Sequence, residues 1–300
     1  MPAYMSHAVM MENLYEENKH EEKIFKIHLD LDELKTYSLG VDLASLSKNI
    51  VNNPHTSDTR SFFLNMIDYI KKRNLIENKH DIACLYGHVA HYFMDVCMHP
   101  FIYSIENSCK KVSSIPNHHL IEGYISTYLV KKILEKDIME VNEEYFNQAD
   151  LNIISVRDML DTVYGEIYGD GNITKTYKAT LQLFSNIERI AKSGLFSKEN
   201  LIHFSKFDEF LRINHLSYSD LNNDYRNYYI NPSNGEMKNF NVLEMYYLSI
   251  YMTIDAICDI NNVLYNDKTL SKLENVFTNL SYNTGLPCEQ GEQMYYIKKR

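Results

Sequence analysis

Four potential ligands in residues 88–99 follow one another at helical spacing. His88, His91, Asp95 and His99 stand at steps of three, four and four. On a helix, side chains three and four apart lie above one another on one face. One helix therefore presents three imidazoles and a carboxylate along a single stripe. Asp95 interrupts an otherwise apolar run, where an unpaired charge would be costly, so His91 and Asp95 read as the strongest pair of candidate ligands, ahead of a simple helix-face hydrogen bond between them. The pair His118 and Glu122 repeats the four-residue step. Imidazole together with carboxylate is a donor set that zinc accepts, and two such pairs joined by a loop suggest a multi-metal hydrolytic site.

The rest of the chain reads as helical. It has only 10 Gly and 6 Pro in 300 residues, and alternating strand patterns are scarce. Helical periodicity predicts helices over Ser61–Arg73, Asp81–Met98, His119–Glu135, Val156–Tyr168, Thr176–Ser193 and Leu243–Tyr265. The expected fold is all-α, a compact multi-helix bundle with a metal cleft. One domain spans residues 1–300, with the ligands in 1–122 and helical completion of the core and pocket in 123–300. Pro100 is expected to end the helix of the stripe, because proline cannot continue it. Asn117 is the expected N-cap of the helix carrying His118. Asn53-Pro54-His55 reads as a loop, and Gly169–Gly171 and Asn231–Gly235 as surface turns. Ten of the twelve histidines fall in the first 119 residues, so metal chemistry belongs to the N-terminal part.

The net charge is −10 and the short basic runs, such as Lys71–Arg73, are scattered. Both argue against stable binding of long nucleic acid. The five cysteines show no paired spacing, which fits reduced thiols; Cys84 and Cys97 read as buried apolar filler. The first twenty residues lack the basic and apolar regions of a signal peptide. The longest apolar stretch, Val242–Leu264, is interrupted by Glu244, Asp255 and Asp259. No transmembrane segment and a cytoplasmic location are the expectations.

The pattern as a whole resembles the zinc-dependent phospholipase C family, which shares its design with single-strand nucleases. The matching residues are His7, Gly40-x-Asp42, His55 with Thr59, Phe62 and Phe63, the run Leu85 to Pro100 with its His91, Asp95 and His99, and His118-x-x-x-Glu122. The resemblance implies two or three zinc ions as cofactor. Asp42, His55, His91 and Asp95 would hold one; His99, His118 and Glu122 a second; His7, with Asp95 bridging, a third. Asp42 would also act catalytically, taking the proton of the attacking water, and His88 would sit behind the ligands as an outer support. His119 is expected to be exposed on a different face from His118. The secreted members use an N-terminal tryptophan at the third ion, whereas this chain has no tryptophan, and the step from Asp95 to His99 is shorter than theirs. The implied activity is phosphate-ester hydrolysis, with a lipid or nucleotide substrate. The alternatives are a nuclease or nucleotide phosphodiesterase of the same fold, and a non-catalytic protein that keeps metal for stability or partner binding. Nothing in the sequence fixes the oligomeric state.

Overall fold

A computed structural model describes residues 3–21, 24–111, 116–141, 151–192, 202–223, 228–266 and 268–291. It is all-α apart from one small hairpin. The helices are α1 (Ala3–Glu21), α2 (Leu31–Tyr37), α3 (Thr59–Lys72), α4 (Lys79–Glu106), α5 (Asn117–Leu129), α6 (Ile138–Val141), α7 (Ile154–Tyr168), α8 (Ile173–Lys192), α9 (Ile202–Asn214), α10 (Tyr218–Asn222) and α11 (Val242–Tyr265). The hairpin pairs β1 (Tyr229–Ile230) with β2 (Met237–Lys238), Ile230 opposite Met237. The Asn231–Gly235 turn joins its strands. Among the described residues, no helix is long and apolar enough to cross a membrane.

The central element is α4. Asn78 caps its start by accepting the amide of His80. From Asp81 to Met98 every residue is buried, because α11 and α2 pack along it and α1, α3, α5 and α7 close the remaining sides. A helix apolar on all faces belongs in a core, and here it carries the candidate-ligand stripe with it. Tyrosine fills much of the surrounding space. Tyr37, Tyr86, Tyr92, Tyr164, Tyr168, Tyr177, Tyr246 and Tyr282 are all fully buried. Buried hydroxyls need partners: Tyr86 donates to Asn261, Tyr164 and Tyr177 share a hydrogen bond of 2.9 Å, and Tyr92 accepts from the Leu280 amide.

The structure corrects three expectations. First, α4 does not stop at Pro100 but runs on to Glu106 with the proline inside it. Proline removes the N–H that would reach the Val96 carbonyl, and the backbone of Gly285 packs directly against that carbonyl; a Cβ there would lie 2.9 Å from it. Second, Asn117 is not a cap. It is the first residue of α5, and its side chain donates to the Lys110 carbonyl. The carboxylate of Glu106, at the end of α4, takes the free amide of His118 instead. Third, His7 lies on α1, a helix absent from those that the periodicity predicts. That helix has weak sequence periodicity because both α2 and α5 cover it.

Candidate metal centre

Five segments converge on one cavity of about 630 Å³. His7 comes from α1 and Asp42 from the 3₁₀ turn Gly40–Ala44. His55 comes from the loop before α3, His91, Asp95 and His99 from α4, and His118, His119 and Glu122 from the first turns of α5. Asp95 is the hub. Its Oδ1 lies 3.3 Å from His7 Nε2 and 3.9 Å from His99 Nε2, and its Oδ2 lies 3.2 Å from His91 Nε2. On one side Asp42 Oδ1 meets His55 Nε2 at 2.9 Å. On the other, Glu122 Oε1 meets His99 Nε2 at 3.1 Å and Glu122 Oε2 meets His119 Nδ1 at 3.0 Å.

Gly40 makes this convergence possible. Its φ is +51°, and a Cβ would stand 2.3 Å from His91 Cγ. Only glycine lets the turn carrying Asp42 close onto the His91 ring. A second close approach comes from the far end of the chain. Phe277 is fully buried and stacks on Phe63 at 4.5 Å, a burial worth about 1.5–3 kcal/mol. It anchors the segment that lays Tyr282 against the rings of His55 and His91 at 5.3 and 5.7 Å. The Tyr282 amide donates to the His55 carbonyl.

Burial and mutual attraction set the charges. Burial opposes ionisation of Asp42, but the His55 hydrogen bond and the neighbouring His91 outweigh it and bring its pKa down to about 2. Asp95 is held below the usual carboxylate range against the same penalty, by His99 first and then His91 and His7. Glu122 is held low, again against burial, by its bonds to His119 and His99. Burial would also depress His99, but Asp95 and Glu122 raise it to about 10. For His91 burial wins, and the pKa falls to about 3.

That last value exposes an incompatibility. His91 Nδ1 lies 3.1 Å from the Ser38 carbonyl, which can only accept, so Nδ1 carries the ring proton. In the neutral ring Nε2 is then a bare lone pair. It is buried without a hydrogen-bond partner and faces a carboxylate oxygen at 3.2 Å, acceptor against acceptor. A cation between the two resolves the conflict, and the carbonyl that fixes the tautomer is the outer contact a metal-bound histidine needs. The distances agree. Ligand atoms about 2.0–2.1 Å from a tetrahedral zinc stand about 3.3 Å from one another, the separation seen around Asp95. Three groups of described residues have ligand atoms mutually within 4.8 Å: His7, Asp42 and His91; His55, His91 and Asp95, which share His91 with the first; and, separately, His118, His119 and Glu122. The residues present therefore fit zinc.

The family model for zinc-dependent phospholipase C matches residues 1–225. The chain belongs to that family. No curated protein and no solved structure matches it. Membership makes this a zinc-dependent hydrolase family, and the match reaches well past the sequence motifs, through α5 to α10.

Of the eight candidate ligands implied by the sequence resemblance, seven line the cavity; His91 is fully buried and does not. His88 is not brought to them. Its Nδ1 donates to the Cys84 carbonyl and its Nε2 accepts from Tyr177, so its partners are core groups and not candidate ligands. Two participants had no sequence signal strong enough to single them out. His119 is exposed, as expected, yet it bonds Glu122 and lines the cavity. Glu106 bonds both the amide and, at 3.4 Å, the Nδ1 of His118. A carboxylate behind a ligand histidine is a common orienting device, but the twelve-residue separation of this pair only becomes a contact once α4 and α5 pack.

Proposed function

We propose that this chain hydrolyses a phosphodiester, a phospholipid in first place, at a centre of two or three zinc ions. The observation that carries the reading is the buried His91 lone pair facing the Asp95 carboxylate, in a member of a zinc-dependent phospholipase C family. Asp42, His55, His91 and Asp95 would hold one ion, and His99, His118 and Glu122 a second. His7 would hold a third together with Asp95. Zinc held there would neutralise phosphoryl oxygens and activate a water for attack at about neutral pH.

The protein groups then have definable tasks. Asp42 is the proposed acceptor of the water's proton. Its low pKa makes it a weak base, adequate for a water already acidified. The His55 contact at 2.9 Å engages one of its two oxygens, Oδ1. Tyr282, itself buried, covers the His55–His91 side against solvent. Water adds to phosphorus, the ester P–O bond breaks, and an alcohol and a phosphomonoester leave. The donor set holds no cysteine, which favours an open hydrolytic site over a closed structural one.

The test is turnover of a short-chain phospholipid and of an activated aryl phosphodiester by zinc-loaded protein. Release of diacylglycerol that stops on chelation and in Asp95→Ala is the expected result. A zinc-loaded protein that cleaves neither substrate contradicts the proposal.

A further inference from the structure

The cavity is far larger than a phosphate group and its walls differ in character. Met94, Met98 and Ile102 follow one another at four-residue steps along α4, one residue off the ligands Asp95 and His99, and Ile125 of α5 joins them. They form an apolar wall beside the Glu122 side of the centre. On the Asp42–His55 side the lining is polar and uncharged: Ser45, Asn53 and Asn283. Asn53 accepts the His55 amide, the neighbour of Asn283 donates to the His55 carbonyl, and Ser45 donates its amide to Asp42. The three are thus tied to the same end of the centre.

Among the described residues, no Lys or Arg lines the cavity, and its carboxylates are Asp42, Asp95 and Glu122. All three belong to the candidate ligand set. Two or three dications against three carboxylates leave a net positive field. That field suits the single negative charge of a phosphodiester, and among the described lining residues no carboxylate outside the candidate ligand set is left to pair with a cationic headgroup. It offers a second phosphate no lysine or arginine to bind, which also separates the site from polyphosphate and nucleic-acid recognition.

We propose, resting on the phospholipase reading above, that the substrate is a phospholipid with an uncharged, hydroxyl-bearing headgroup. Ser45, Asn53 and Asn283 exchange hydrogen bonds with the polyol, and Met94, Met98, Ile102 and Ile125 receive the glycerol–acyl side. Hydroxyl and amide groups both donate and accept, as polyol recognition requires. In the reaction the water oxygen bonds to phosphorus and the bond from phosphorus to the diacylglycerol oxygen breaks. That oxygen takes a proton, and the polyol keeps the phosphate.

The experiment compares short-chain phosphatidylglycerol with phosphatidylcholine of the same acyl length, both as monomers, on the zinc-loaded full chain. The glycerol lipid is expected to show a kcat/KM about tenfold or more above the choline lipid. Asn53→Asp keeps the acceptor for the His55 amide but adds a carboxylate to the headgroup wall. It is expected to move the ratio about tenfold toward choline, with zinc content unchanged as the check on folding; Asn283→Asp gives a second, independent placement of the charge. Equal or faster turnover of the choline lipid, with neither variant moving the ratio, overturns the headgroup assignment alone. Failure of both lipids with zinc bound overturns the phospholipase reading and this inference with it.

Discussion

Replacing Gly40 by alanine is expected to unseat the metal centre without touching a ligand. Two costs combine. At φ +51° an L-residue pays about 1–2 kcal/mol for the left-handed backbone. The new methyl would stand 2.3 Å from Cγ of His91, whose ring is wholly buried, and overpacking of that kind costs about 1–3 kcal/mol. The sum is about 2–5 kcal/mol, a loss of about 3–8 °C in melting temperature for a protein of this size. Because the clash falls on His91, the ring must move relative to Asp95, and zinc is expected to fall with stability. Thermal melting and elemental analysis of the same preparation read both. Gly291→Ala is the control: its φ is +70° and nothing lies within 4 Å of the added Cβ, so it is expected to cost about 1–3 kcal/mol from the backbone alone and to keep all its zinc. A Gly40→Ala protein that melts with its parent and binds zinc fully would refute the argument, as would equal zinc loss in the control.

Other expectations follow from particular contacts. Burial lowers the His88 pKa from 6.5 to about 4, so the unfolded chain takes up this proton first as pH falls; stability is full above about 6.5 and about 3 kcal/mol is lost on the way to pH 4. Urea melts of the zinc-free protein at pH 7.5 and pH 5 should show that slope, and His88→Gln should flatten it; an unchanged slope would contradict a neutral buried His88. Glu106→Ala removes the acceptor behind His118 and should weaken one zinc about 10–100-fold in a chelator titration while the others hold. Uniform affinity across all ions in that variant would show that Glu106 orients nothing. Tyr282→Ala opens the solvent-excluding contact on His55 and His91; about 3–5 kcal/mol of destabilisation is expected by chemical denaturation, and a change below 1 kcal/mol would mean that the tail does not seal the site.

The helical class and the α4 stripe were legible in the sequence because period and ligand spacing coincide there: His91, Asp95 and His99 need no tertiary information to share a face. Long periodic helices such as α3, α7 and α11 emerge within a few residues of their expected bounds. What local reasoning misjudged depends on neighbours. Pro100 suggests a helix end until the Val96 carbonyl is seen covered by Gly285, nearly two hundred residues away. His7 shows no helical context because its helix is covered on more than one side. His88 fits the stripe by number, yet its bonds run to the Cys84 carbonyl and a tyrosine of α8 instead. The Tyr282 segment carries no motif, and its place against His55 is set by the docking of Phe277 on Phe63.

The central claim is that Asp95 joins separate histidines through bound metal, and the most direct measurement is zinc per chain in the purified protein beside Asp95→Ala. Two or three zinc ions, sharply reduced in the variant, are the predicted result. One ion or none after incubation with zinc, or a content that Asp95→Ala leaves unchanged, would contradict the account.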